Sequence, residues 1–159
     1  MVRAARGMDQ RSAYKALTGE ADIDVSAADY TAFVALLTIA NPSAKNFIED
    51  AWVFFDLDKA TTGFGAGYTT QTIQFAVARK VDGTNYKIEA NSNGDGLTAT
   101  ATGTVAASDR MMGIHIGPIG PNEDARIVVV LSAETANDAE LPYALYYRGP
   151  TPTLTAVAA

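Results

Sequence analysis

The sequence predicts a mainly β protein: an antiparallel β-sandwich of jelly-roll-like type, with an extended N-terminal arm and an extended C-terminal tail. Three observations predict it. Ile73, Phe75 and Val77 alternate with Gln74, Ala76 and Ala78, and Tyr86 and Ile88 alternate with Lys87 and Glu89 on the far side of Asp82-Gly83. Period-two apolar spacing on both sides of an Asp-Gly pair is a strong hairpin signal. Further strand-like runs recur along the chain with turn-forming clusters between them, and no strand–helix alternation interrupts them. At 159 residues the chain is long enough to bury most of its surface in a single core.

Charge separates an arm from a body. Residues 1–19 carry Arg3, Arg6, Arg11 and Lys15 against Asp9 alone, whereas residues 20–58 carry one lysine against eight carboxylates. The arm has no regular apolar period, and Gly7 and Gly19 interrupt it. It reads either as a frayed or surface-packed tail or, as preferred here, as a docking arm for an acidic or backbone-rich surface on another subunit, with Arg3, Arg6, Arg11, Tyr14 and Lys15 as contacts. The expected division is an arm over residues 1–25, a sandwich over 26–148 and a tail over 149–159.

Residues 26–40 admit two readings. Ser26 and Asp29 resemble a helix N-cap and its acidic third position, with Tyr30, Phe33, Val34 and Leu37 on one helical face. Phe33, Ala35, Leu37 and Ile39 also alternate as a strand, which is preferred because everything downstream is β; Asn41-Pro42-Ser43 ends either element. Residues 47–58 are apolar on both faces, with Trp52 and Phe54 on one and Val53 and Phe55 on the other, which suits a strand buried between two layers. The Gly-rich residues 60–67 form a loop into the hairpin.

Residues 97–105 place Thr98, Thr100, Thr102 and Thr104 on one face of a flat or edge strand. Residues 111–116 form another strand, ended by Gly117-Pro118. Residues 126–132 (RIVVVLS) are the most β-prone run and belong at the centre of a sheet. Residues 134–142 read as a polar loop, and residues 143–148 as the last strand. The prolines of GPTPTLTAVAA keep the tail from being helical.

Composition excludes several classes. There are no cysteines, so disulfides, thiolate metal sites and thiol catalysis are excluded; a reducing cytoplasm or a particle that must survive both redox states fits. A formal net charge of −6 argues against a general nucleic-acid binder. Residues 1–15 carry charges throughout and do not read as a signal peptide, and no apolar run has the ~20 residues of a membrane-spanning helix.

Candidate sites are few. Asn91, Asn93, Asp95 and Gly96 match the first half of a calcium loop, yet the twelfth position is Thr102 where a bidentate Glu is needed, so a tight turn is the better reading and no metal or cofactor is expected. Asp56 and Asp58 share a strand face but sit at a strand end beside Lys59, the usual place for solvated charge. His115 is the single histidine, points away from the face of Ile114 and Ile116, and has no nucleophile motif beside it. The Gly-rich loop precedes a hairpin and lacks the following helix that a phosphate cradle uses. No catalytic set is expected. Tyr143, Tyr146, Tyr147 and Arg148 are the residue types that interfaces enrich, and the tyrosines are equally good strand residues.

The basic arm of residues 1–24, the strand–turn series from Phe47 through Tyr147 with its KVDGTNYK hairpin, and the tail GPTPTLTAVAA together resemble the capsid decoration, or cement, proteins of tailed phages. That resemblance implies a non-catalytic virion protein, made in the host cytoplasm, that binds the major capsid protein on the shell surface as a homodimer or homotrimer and stabilises the shell. Neither nucleic acid nor membrane would be a partner. A carbohydrate- or receptor-binding β-sandwich of a phage tail or fibre is the alternative.

Overall fold

The structure, a computed structural model, describes residues 14–23, 34–56, 72–89, 97–100, 111–131 and 139–156. These residues form ten strands and no helix: β1 (Lys15–Ile23), β2 (Val34–Ala40), β3 (Asp50–Asp56), β4 (Thr72–Lys80), β5 (Tyr86–Ile88), β6 (Leu97–Thr100), β7 (Met111–His115), β8 (Asp124–Leu131), β9 (Ala139–Arg148) and β10 (Thr153–Ala156). They make two antiparallel sheets. One has the order β1-β9-β3-β7; the other runs β10-β2-β8-β4-β5, with β6 also on β4. Consecutive strands mostly change sheet, and the pairs β1·β9, β2·β8, β3·β7 and β4·β6 nest inside one another. This is one long hairpin rolled on itself, the connectivity of a jelly roll.

Strand parity builds the core. Ala51, Val53 and Phe55 of β3 and Leu141, Leu145 and Tyr147 of β9 face inward from the first sheet, against Phe75 and Val77 of β4 and Ile127 and Val129 of β8. Phe55 and Phe75 stack across the sheets with ring centroids 5.0 Å apart. The expected partnership of the hairpin's apolar face with β3 and β8 is thus observed, and β8 is central, between β2 and β4. A bulge between Ala35 and Leu37 on β2 shifts the register, so Leu36 and Leu37 are both buried.

The hairpin turn spans residues 81–85. Asp82 Oδ1 accepts hydrogen bonds from the backbone N–H groups of Thr84 (2.9 Å) and Asn85 (2.7 Å), and Gly83 supplies a φ of +76°. These donors hold the Asp82 carboxyl down at about 2.

At one end of the sandwich, the connection after β2 meets the connection between β7 and β8. Asn41 Nδ2 donates to the carbonyls of Asn46 (2.8 Å), Ile119 (3.0 Å) and Gly120 (3.1 Å), while its Oδ1 accepts from Ser43 N–H at 3.0 Å. Ile48 and Ile119 form a backbone bridge beside it. From β4, Arg79 donates to the Pro118 carbonyl at 2.7 Å and to the Ile116 carbonyl, tying the second sheet to the same connection.

Several expectations are corrected. Part of the expected arm is β1, the edge strand of the first sheet, because Leu17 and Ala21 alternate inward and Gly19 makes room for Tyr143. Part of the expected tail is β10, paired to β2 from Thr153↔Ala40 to Ala156↔Leu37. Residues 139–142, read as loop, belong to β9; the ladder to β3 ends at Phe55↔Tyr143, one residue short of Pro142, which has no N–H to donate. The strand reading holds for residues 34–40. Arg3, Arg6, Arg11, Asn91, Asn93, Asp95, Asp58 and the Gly-rich loop lie outside the described residues.

Candidate functional site

The outer face of the four-stranded sheet is read across the strands from the pairing. Ala16, Tyr146, Trp52 and His115 form one row; Thr18, Ala144, Phe54 and Gly113 form the next. Parity sends Trp52 and Phe54 away from the core. The expected burial of β3 between two layers therefore applies to one of its faces, and among the described residues nothing covers the other. Tyr146 is 42% exposed and Met111, at the end of β7, is 66% exposed.

The rings pack against one another. Trp52 and His115 stack with centroids 4.3 Å apart, Phe54 lies nearly parallel to Trp52 at 6.2 Å, and Tyr146 meets Phe54 edge-on at 5.7 Å. Gly113 leaves space for this arrangement: a Cβ there would lie 2.8 Å from Phe54 Cε1. Such pairs contribute about 0.5–1.5 kcal/mol each beyond area burial.

At one end of the face, a carboxylate joins three elements. Asp50 begins β3; its Oδ2 accepts a 2.5 Å hydrogen bond from the hydroxyl of Tyr14, which precedes β1, and its Oδ1 lies 2.6 Å from Nε2 of His115 at the end of β7. Burial opposes the charge on Asp50, but the hydrogen bonds from Tyr14 and His115 and the attraction of the imidazole outweigh it, so the carboxyl sits below its ordinary value. The Tyr14 phenol is raised, first by its hydrogen bond to Asp50 and then by burial. The Arg148 guanidinium lies 5.3 Å from the Tyr14 ring. Arg148 Nε is 3.0 Å from Glu49 Oε2 but is not aligned as a hydrogen bond, and so exposed an ion pair adds little.

The sign of the pH dependence follows. A carboxyl with a lowered folded pKa contributes stability that is full above its unfolded value and is lost as pH falls through the folded value. At neutral pH, Tyr14→Phe is expected to cost about 1 kcal/mol of unfolding free energy. Urea midpoints of the two proteins should converge as pH falls through the lowered folded value of Asp50 and the carboxyl takes up its proton. A gap that stays constant through the acid limb would reject the Tyr14–Asp50 link.

At the other end of the face lies a shallow depression of about 720 Å³, lined by Phe54, Met111 and Pro142 together with Glu20 and Asp56. Tyr143 and Thr18 also line it.

The structure sorts the residues expected to meet a partner. Tyr146, Arg148, Tyr14 and Lys15 reach the surface. Tyr143 and Tyr147, at 8% and 3% exposure, belong to the core, since alternation along β9 turns 143, 145 and 147 inward together. Lys15 pairs with Tyr147, on the parity opposite to the aromatic rows. The reading from sequence placed Trp52 and Phe54 in a strand buried between two layers and did not single out Asp50; all three are half-buried on the outer side of β3. Among the described residues, no group of three or more His, Asp or Glu could hold a metal ion.

Searches against known proteins returned no matching family model and no matching curated relative. Among solved structures, the chain is similar to one titled sacbrood virus of honeybee, expansion state I, at 10% identity, 91% coverage of this chain, 88% of that one and a TM-score of 0.47. It is similar also to a chain of mud crab dicistrovirus (10% identity, 93% and 74% coverage, TM-score 0.44). A third similar structure is the P-domain of Macrobrachium rosenbergii nodavirus (10% identity, 89% and 95% coverage, TM-score 0.40). None of the three is a tailed-phage decoration protein. Likenesses this distant carry no functional argument.

Proposed function

We propose that the chain is a non-catalytic structural protein of a virion, attached to the outside of a capsid as a decoration protein through the outer face of its four-stranded sheet. The observation that carries this reading is the aromatic band of Trp52, Phe54 and Tyr146, continued by Met111, on a sheet whose opposite face already holds the core. Tyr146 and Met111 are exposed and Trp52 and Phe54 are half-buried; apolar surface left open in this way marks an interaction site, and Trp, Tyr, Met and Arg are the residues that anchor protein contacts. The jelly roll is a scaffold on which capsid and lectin domains are both built, so the site has to decide between them. His115 covers one face of the Trp52 indole at 4.3 Å. A sugar ring stacks on an open aromatic face, so this packing favours a protein partner over a glycan. The partner would be the major capsid protein, met by a homodimer or homotrimer.

Purified protein sedimented with undecorated heads tests the reading. Trp52→Ala combined with Tyr146→Ala is expected to weaken attachment by about 100-fold while circular dichroism stays unchanged. Attachment with unchanged affinity would overturn it, and binding to a glycan array in place of heads would favour the lectin alternative.

A further inference from the structure

The tip of the hairpin between β4 and β5 carries a chemistry of its own. Asp82 and Gly83 are both exposed, and glycine has no side chain to shield its backbone nitrogen. An Asp-Gly pair in water is open to a spontaneous rearrangement. The Gly83 nitrogen attacks Cγ of Asp82; a C–N bond forms, the C–OH bond of the protonated carboxyl breaks, and the hydroxyl leaves as water with the amide proton. The resulting succinimide takes one water back. Opening at Cγ restores aspartate, and opening at the Asp82 main-chain carbonyl leaves isoaspartate, with the chain routed through Cβ and Cγ. No atom is oxidised or reduced. We propose that Asp82 is a spontaneous isomerisation site that the folded hairpin holds shut and unfolding opens, so that isoaspartate at this position records time spent unfolded. The inference is independent of the function proposed above.

Three hydrogen bonds support it. Asp82 Oδ1 accepts from the backbone N–H groups of Thr84 and Asn85, and Oδ2 accepts from Asn85 Nδ2 at 2.9 Å. These donors stabilise the ionised carboxylate; the neutral acid that reacts and the uncharged succinimide both forfeit that stabilisation. The carboxyl value of about 2, against an ordinary 3.8, means roughly tenfold to hundredfold less of the reactive acid at neutral pH. The donors converge only in the folded turn. The lesion matters to the sheet as well. The turn sets the register from Lys80↔Tyr86 to Ala78↔Ile88. That register brings the Tyr86 hydroxyl 2.7 Å from Asp124 Oδ2 and its ring centroid 3.7 Å from the Arg126 guanidinium. An added backbone methylene at residue 82 and a displaced carboxylate uncouple both contacts.

The test uses the full chain, held near neutral pH for weeks either folded or in guanidinium chloride. Asn93 and Asp95 are also followed by glycine, so total isoaspartate is ambiguous; the tryptic peptide of residues 81–87 (VDGTNYK) isolates Asp82. Its isoaspartate is read by chromatography and electron-transfer fragmentation. The folded parent should react at least about tenfold more slowly than the denatured parent. Asn85→Ala removes the Nδ2 donor and should speed the reaction about threefold or more in folded protein, with no change in denaturant. A urea midpoint near that of the parent shows that this variant is folded. Equal rates in the folded and denatured parent would overturn the proposal, whatever the variant does. So would a folded Asn85→Ala that reacts no faster than the folded parent, since rigidity alone would then account for the protection.

Discussion

Gly149→Ala is expected to lower the unfolding free energy by about 3–5 kcal/mol, enough to unfold a marginal domain. Gly149 follows β9 with φ at +120°, a conformation that an L side chain rarely adopts. A Cβ there would lie 2.7 Å from the Phe47 carbonyl oxygen, 3.1 Å from Ile48 Cα and 3.3 Å from Glu49 N. These are backbone atoms, held by the bond from Glu49 N–H to the Arg148 carbonyl and by the bridge between Ile48 and Ile119, so they do not step aside as a side-chain tip would. Gly83 is the internal control. It too has positive φ, at +76°, but a Cβ there meets nothing within 4 Å. Gly83→Ala should therefore cost about 1 kcal/mol, the conformational part alone. Urea denaturation of the two variants measures the difference, and equal losses would reject the steric account.

Asn41→Asp is the second large effect. Asn41 is 2% exposed, and its amide nitrogen faces three carbonyl oxygens between 2.8 and 3.1 Å away. A carboxylate keeps the volume and the acceptor for Ser43 N–H but turns an oxygen toward those three oxygens. The loss at neutral pH should be about 3–5 kcal/mol, the range for an uncompensated buried charge. Protonation supplies one donor, so the folded state raises the pKa of the new carboxyl. Its stability deficit relative to the parent protein should therefore shrink as pH falls through that raised value and grow as pH rises. A deficit independent of pH, measured by urea midpoints from about pH 4 to 8, would show that the amide donors do not hold this end together.

The strands were legible where alternation is strong. The flanks of Asp82-Gly83, the run of β8 and the core side of β3 all carry large β-branched or aromatic residues at period two, and each is a strand at its expected place. β1 was not legible, because the inward positions of KALTGEADI include the small residues Gly19 and Ala21, and the small size of Gly19 answers the bulk of Tyr143 on β9; that need is visible only once the register is known. β10 hid behind the prolines of the tail for a similar reason. Its strand character comes from the edge of β2 and owes little to its own side chains. The tyrosines of β9 show a signal that was present and unused: parity alone separates Tyr146 from Tyr143 and Tyr147. The link between Tyr14, Asp50 and His115 had no such signal. These residues are 36 and 65 positions apart along the chain, and only the order β1-β9-β3-β7 brings them to one corner.

The nested pairing has a consequence for how the protein is made. β1 is the first described strand to leave a ribosome and β9 is among the last, yet each is the other's neighbour, and β2 likewise waits for β8. An N-terminus that emerges first ordinarily folds first. Here the four-stranded sheet cannot close until residues 139–148 have been synthesised, and β4 with β5 is the pair that a nascent chain can complete early. During translation the edges of β1 and β2 stand without their native neighbours, so pairing with another nascent chain competes with folding until synthesis is nearly finished.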